Sequence, residues 1–479
     1  MDRIKSAFTP KGPDRDEYSP LNDDDNHSGT IAGSSYEVEV EDDGSDSSSP
    51  QQPFSWIEYL IFSLIGVAML WAWNMFLAAA PYFQTRLHTD PWLSQNAQSA
   101  IIAVSTSTNL LAMLLLTNRQ AGASYPYRIN SALYLNAAVF SLLTISTSVF
   151  LDASPRVYFA FLLAMVATTA WAAGLMQNGA FTFAASFGRT EYTQAIMAGQ
   201  GVAGILPPLT QVVSFLAFTP SPDTSVKDGD DETKKSSGAA MVYFLTAVLI
   251  SGITLAAFIP LVTRHNRLVA RRLLKQQEEE EELLAQSTNS VEELERATRK
   301  VVSMTELFRK LKWLAISVFM CFAVAMFFPV FTGKILSVRS PATSGRLFEP
   351  GAFIPLGFFF WNLGDLTGRM GSVHPLFAKL RKQPKLLFMV SLARFGFLPL
   401  YLLCNIRGEG ALVGSDLFYL IGVQFPFGLT TGWLGSSTMM GAGEWVGQEE
   451  REAAGGFMGM CLVGGLTAGS LLSFGVAGI

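Results

Sequence analysis

The sequence predicts an all-α, polytopic membrane protein, and three observations carry that prediction. Hydrophobic residues make up 49% of the 479-residue chain and aromatics 12%, while charged residues reach only 15%. Soluble proteins carry about 25% charged residues, so this chain lacks the polar side chains to cover a soluble surface of its size. From Trp56 onward the apolar residues gather into long runs, and crossing the hydrocarbon core takes about 20 mostly apolar residues per helix. Those runs show no period-two alternation and are about twice too long for barrel strands. Helices follow.

Residues 1–55 read as an acidic tail. Positions 1–53 hold thirteen acidic and four basic residues, a net of −9 within an overall charge of −5. Rich in Ser, Asp, Glu, Gly and Pro and without hydrophobic periodicity, the tail is expected to be disordered. It has no basic stretch followed by an apolar core, so it is not a signal peptide. The charge distribution excludes a nucleic-acid-polymer binder driven by bulk basicity. Cys321, Cys404 and Cys461 lie in apolar runs, and three cysteines cannot form a complete internal set of disulfides. Buried free thiols are expected.

Eleven spans follow, at roughly 57–80, 95–116, 131–151, 157–179, 193–217, 240–262, 313–335, 351–372, 386–405, 414–437 and 455–477. They divide into a six-helix half (56–262), a connection (263–312) and a five-helix half (313–479). With the N-terminus in the cytosol, 23 of the 34 basic residues fall on the cytosolic side. Arg264, Arg267, Arg271, Arg272 and Lys275 stand directly after span six, where the positive-inside rule weighs most. In the same connection the run Glu278 to Glu282 lies within a helix-favouring stretch, Leu268 to Thr298, read as a solvated helix. The 219–238 loop, with Pro220, Pro222, Asp228, Asp230 and Asp231, reads as a flexible connection on the opposite side.

Two motifs are decoys. Gly199-Gln200-Gly201-Val202-Ala203-Gly204 matches a dinucleotide fingerprint letter for letter, but that motif needs a preceding strand and a βαβ unit. Inside a membrane helix, glycines instead allow close backbone approach. The same logic covers Gly455 with Gly459 and Gly465 with Gly469. Asn26-His27-Ser28 is formally a glycosylation acceptor, on the cytosolic side in this orientation. The four histidines show no metal-ligand spacing, and no nucleophile elbow or HExxH occurs. No cofactor, metal or enzymatic activity is expected.

The chemistry lies in polar residues within the spans, which usually face a bundle interior or a watery pathway. Asn362, Asp365 and Arg369, spaced i, i+3 and i+7, share one helix face. Asp365 and Arg369 form an i,i+4 pair in the favourable order. Carboxylate acceptors and guanidinium donors suit a hydroxyl-rich solute; the alternative is an ion pair that only locks the bundle. Trp73-Asn74 in span one offers a flat face for a planar ring, although membrane Trp is more often an interface anchor. Gln177-Asn178, at the end of span four, offers donor and acceptor to a heterocycle edge. Arg394 in span nine reads as a structural or gating charge. Pro207-Pro208, Pro329, Pro355, Pro399 and Pro426 place breaks in several spans, as transporters often have.

These residues resemble the equilibrative nucleoside transporter family. The resemblance runs in order over residues 56–479: Trp73-Asn74 with Pro81-Tyr82-Phe83, Gly199 to Gly204, Asn362-x-x-Asp365-x-x-Gly368-Arg369, Ala393-Arg394 with Leu402 to Ile406, and Glu452-Ala453-Ala454-Gly455. It implies a major-facilitator-like 6+5 bundle that moves purine and pyrimidine nucleosides down their gradient through the lipid bilayer by alternating access. By position, it implies that Trp73 and Leu77 border the nucleobase and Gln177 bonds its edge. Asp365 and Arg369 then hold the ribose, with Asn362 supporting them. Ala72 and Leu366-Thr367 depart from the family pattern and leave base preference open. Glu17-Tyr18-Ser19-Pro20-Leu21 fits a tyrosine-based sorting signal, which points to a vacuolar or lysosomal membrane, with the plasma membrane as the alternative. The residues leave proton coupling open. The rival readings are a carrier of nucleobases, sugars or amino acids on the same fold, and a non-transporting receptor or scaffold.

Overall fold

In lipid every backbone amide must be satisfied within its own segment, which selects helices for apolar runs of this length. The computed structural model describes residues 54–119, 123–149, 151, 153–217, 229–280, 302–339 and 345–474. Among them the fold is helical, with one isolated antiparallel bridge between Ile335 and Ile406. The tail motifs and residues 281–301 of the connection lie outside the described residues.

The long helices are α1 (Trp56–Ala78), α2 (Pro91–Asn118), α3 (Tyr125–Val149), α4 (Pro155–Ser186), α5 (Thr190–Ala217) and α6 (Gly229–Glu280). They continue as α7 (Met304–Ala325), α8 (Pro350–Gly371), α9 (Pro384–Ala393), α10 (Phe425–Ala442) and α11 (Arg451–Phe474). Their starts follow from local chemistry. Proline opens α2, α4, α8 and α9, where its missing N–H costs nothing. Asp90 caps α2 by accepting from the amides of Trp92 and Leu93.

Among the described residues, eight helices, α1 to α7 and α11, are long and apolar enough to cross a membrane. The eleven-span expectation is thus met for eight. The other three predicted spans fall on α8, α9 and α10, for which the physical reasons differ. α8 carries Asn362, Asp365 and Arg369. α9 ends after Ala393 and continues as a 3-10 turn, Arg394–Gly396, and a short helix, Phe397–Tyr401. A π-helical stretch, Phe418–Gln424, precedes α10. One loop expectation is corrected: residues 229–238 are helical. The helix expected from Leu268 is present as far as Glu280, as a continuation of α6. Cys321 and Cys404 are buried free thiols as expected, whereas Cys461 is only half-buried.

The apolar core is forked. One cluster joins both ends of the chain: Phe62 and Met69 of α1 and Ile196 of α5 share it with Leu314 and Phe322 of α7, Leu434 of α10 and Phe457 of α11. A second cluster holds only N-terminal elements, among them Met75, Phe76, Phe140, Tyr158 and Phe244. A third holds only C-terminal ones, among them Val324, Phe353, Trp361, Tyr419 and Phe427. Along α1 the core passes from shared to separate between Met69 and Ala72, and along α7 between Phe322 and Val324. The cluster shared by the two groups thus lies toward the end where α1 begins; toward the other end the buried clusters are separate, while α8 stays against α5 where Gly351 packs on Phe215.

Glycines make the closest approaches. A Cβ on Gly199 would lie 2.8 Å from the Ser63 carbonyl carbon of α1, and one on Gly201 would lie 3.2 Å from Arg369 Cδ of α8. One on Gly204 would run into the Asn362 amide. The apparent dinucleotide motif is thus a packing surface that lets α5 sit between α1 and α8. Gly465 likewise meets the backbone of Phe319, and Gly455 that of Phe181.

Candidate functional site

Asn362, Asp365 and Arg369 share the face of α8 that meets α5 near the fork. Asp365 and Arg369 are 3% and 6% exposed. Arg369 Nε donates to Asp365 Oδ2 at 2.6 Å. Its Nη1 donates to the Met197 carbonyl at 2.9 Å and to Gln200 Oε1 at 3.2 Å, both on α5. The expected i,i+4 pair is therefore formed, and it also ties α8 to α5. It is not self-satisfied: Asp365 Oδ1 is buried without a hydrogen-bond partner. Leaving such an acceptor unpaired costs about 1–3 kcal/mol, and an orphaned carboxylate oxygen suits a donor brought by a ligand. Asn362 Nδ2 returns to the Phe358 carbonyl at 2.8 Å, which turns its oxygen toward Gly204.

The N-terminal helices supply the opposite side. Trp73 is half-buried against the N-terminal arm of the core. The neighbouring Asn74 donates to the Ala203 carbonyl of α5 at 2.8 Å, so residues 203 and 204 of α5 face α1 and α8 in turn. Leu77 is 41% exposed. Gln177 is buried and accepts from Asn109 of α2 at 3.4 Å. It lies well inside α4, which runs to Ser186, not at its end. The structure thus assembles the α8 trio directly, while Trp73, Leu77 and Gln177 stand on the N-terminal helices with contacts of their own. A cavity of about 240 Å³ lies elsewhere, lined by Phe181, Arg189, Glu191, Glu444 and Arg451 among others.

Two buried cations bond carbonyls and side chains of neighbouring helices, and the bonds of Arg394 fit the structural reading of that charge. Arg394 donates to the Cys321 carbonyl of α7 at 2.7 Å and to Thr431 Oγ1 of α10. Arg128, three residues before the predicted third span, sits in the first turn of α3. It donates to the Leu116 carbonyl at 3.3 Å, the Arg119 carbonyl at 2.7 Å and Asn178 Oδ1. Asn178 therefore serves structure. A third buried charge, Glu58, accepts from Tyr192 and lies 3.3 Å from Arg264. An acid in the first turn of an otherwise apolar run was the available signal.

The profile of the family described as nucleoside transporter matches residues 163–477. Nucleoside transporter FUN26 of Saccharomyces cerevisiae is 29% identical over 455 residues, 87% of this chain and 83% of that protein. Human equilibrative nucleoside transporter 2 is 26% identical over 457 residues, 86% of this chain and 95% of that one. Among solved structures, the Escherichia coli fucose:proton symporter superposes with a TM-score of 0.51, covering 88% of this chain and 97% of its own at 13% identity. That is a likeness of fold, and it agrees with the major-facilitator-like bundle expected from sequence. With a profile match over well more than half its length, this chain belongs to the nucleoside transporter family.

Proposed function

We propose that this chain is a membrane carrier that moves purine and pyrimidine nucleosides down their gradient by alternating access, with its N-terminus in the cytosol. The observation that carries the proposal is the forked core with the Asp365–Arg369 pair beside the fork. A core joined at one end and divided at the other is what one limiting state of a rocking two-part carrier requires. In this orientation that state is closed toward the cytosol. The names of the relatives supply the substrate class.

At the site, the free oxygen of Asp365 accepts a ribose hydroxyl while Arg369 donates to a ribose oxygen. Asn362 fixes the α8 face against α5. Trp73 and Leu77 flank the base, and Gln177 bonds its edge. α8, α9 and α10 complete eleven crossings as two halves of six and five. The Tyr18 motif in the tail directs the protein to a vacuolar or lysosomal membrane.

The test is competition against labelled uridine uptake in proteoliposomes, with and without an imposed pH gradient. Nucleosides compete, whereas free nucleobases and hexoses do not. Equal competition by a nucleobase removes the ribose contacts from the account. Uptake that depends on the pH gradient adds a coupled proton to the scheme.

A further inference from the structure

We propose that Gln194 is the latch of the end where α1 begins, a positioning residue that ties α1 to α8 and holds that end shut while Arg369 turns to substrate. The inference rests on the reading of Arg369 as a substrate ligand in a carrier whose two groups of helices rock.

Gln194 stands in the second turn of α5 and is 1% exposed. Its Oε1 accepts from the Tyr59 hydroxyl of α1 at 2.7 Å, and its Nε2 donates to the Arg369 carbonyl of α8 at 3.1 Å. A backbone carbonyl can only accept, so the amide nitrogen must face Arg369 and the oxygen Tyr59. Each end of the carboxamide thus holds a different group of helices. Met197 and Gly201, at i+3 and i+7, continue the same face of α5 and meet the Arg369 side chain.

α5 therefore grips Arg369 twice, by side chain and by backbone. The side-chain bonds, from Nη1 to the Met197 carbonyl and to Gln200 Oε1, end when the guanidinium turns to a ligand. The bond from Gln194 survives that turn, because it holds the carbonyl and leaves the side chain free. Its place decides its role. Tyr59 lies in the first turn of α1, and the cluster shared by the two groups lies toward that end. At the opposite end of the same α5–α8 contact, Arg346 donates to the Phe215 and Leu216 carbonyls. Rocking turns α8 on α5 between these two places, so opening the first end must draw the Arg369 carbonyl away from Gln194.

The experiment is hydrogen exchange on the full-length chain in lipid nanodiscs, read at both ends of the α5–α8 contact, beside labelled adenosine uptake. Gln194→Met roughly keeps the volume and removes both bonds. The net worth of one hydrogen bond shifts an equilibrium about threefold to tenfold. Exchange near the starts of α1 and α5 should rise by that factor. Exchange at the end of α5 and the start of α8 should slow, as the population moves to the state open at the first end. Loss of protection at both ends, or no change at either, overturns the proposal, since a bundle that is merely loosened protects nothing better. Tyr59→Phe, which loses only a half-buried hydroxyl, should give the same opposed pattern at smaller size. The double variant should go no further than Gln194→Met, and a larger effect overturns the link to α1. If Gln194→Met does not fold, Tyr59→Phe decides on the same criteria. Opposed changes in a folded chain that moves no nucleoside would keep the latch and remove the carrier reading.

Discussion

Replacing Gly199 by alanine tests the packing of α5 with a single methyl group. The added Cβ would lie 2.8 Å from the Ser63 carbonyl carbon and 3.0 Å from the Val67 amide nitrogen, both backbone atoms of α1. The Ser63 carbonyl oxygen lies nearer still, and ordinary carbon contacts sit at about 3.5–4.0 Å, so α1 and α5 must part by more than about 1 Å. Overpacking of this kind costs about 1–3 kcal/mol. The displacement also moves Gly201 and Gly204 relative to Arg369 and Asn362, so uptake should fall with stability. Gly252 is the control, because a Cβ there meets nothing within 4 Å. The helix-propensity gain of alanine over glycine is common to both positions, so the two substitutions should differ by the packing cost, roughly 1–3 kcal/mol. Thermal melting in detergent and labelled adenosine uptake read both effects. A Gly199→Ala protein that melts at or above the wild-type temperature would refute the close-packing account of this motif.

Other consequences are equally direct. Gln424 accepts from Tyr401 at 2.7 Å and donates to Thr332 and Tyr419 at 2.6 and 2.7 Å, joining the broken regions of α7, α9 and α10. Gln424→Leu strands three buried hydroxyls and should cost at least about 2 kcal/mol; an unchanged melting temperature contradicts this. Arg346 donates to the Phe215 and Leu216 carbonyls at the end of α5. In Arg346→Ala, hydrogen exchange in that last turn should accelerate, and unchanged protection would show the cap to be idle. Deoxyadenosines lacking a ribose hydroxyl should compete less well than adenosine, and Asp365→Asn should erase the difference. Deletion of residues 1–53 should relocate the protein in cells and leave proteoliposome uptake intact, whereas loss of uptake favours a scaffold.

The sequence made the helices legible because span length and apolarity are local properties. It also exposed the Gly199–Gly204 surface, since no strand precedes those glycines, and the α8 trio, whose spacing places it on one face. Breaks in helices were harder to place. Pro207 and Pro355 sit inside unbroken helices, whereas α9 breaks at Arg394, which is bonded to α7 and α10. The breaks expected at Pro329, Pro399 and Pro426 do lie in the turn ahead of each proline, so the local pattern marks some breaks and not others. The carbonyl partners of Arg128 were hidden in the same way, since they come from the end of the preceding helix. The forked core was also invisible, because it depends on which distant helices share a cluster.

The central claim is that Asp365 and Arg369 bind nucleoside in a gradient-driven carrier. Labelled adenosine uptake into proteoliposomes, compared between the wild-type chain and a folded Asp365→Ala variant, tests it most directly. The account predicts saturable uptake that is accelerated by unlabelled adenosine inside the vesicles and lost in the variant. Uptake by Asp365→Ala at the wild-type rate, or none by the folded wild-type chain, would contradict it.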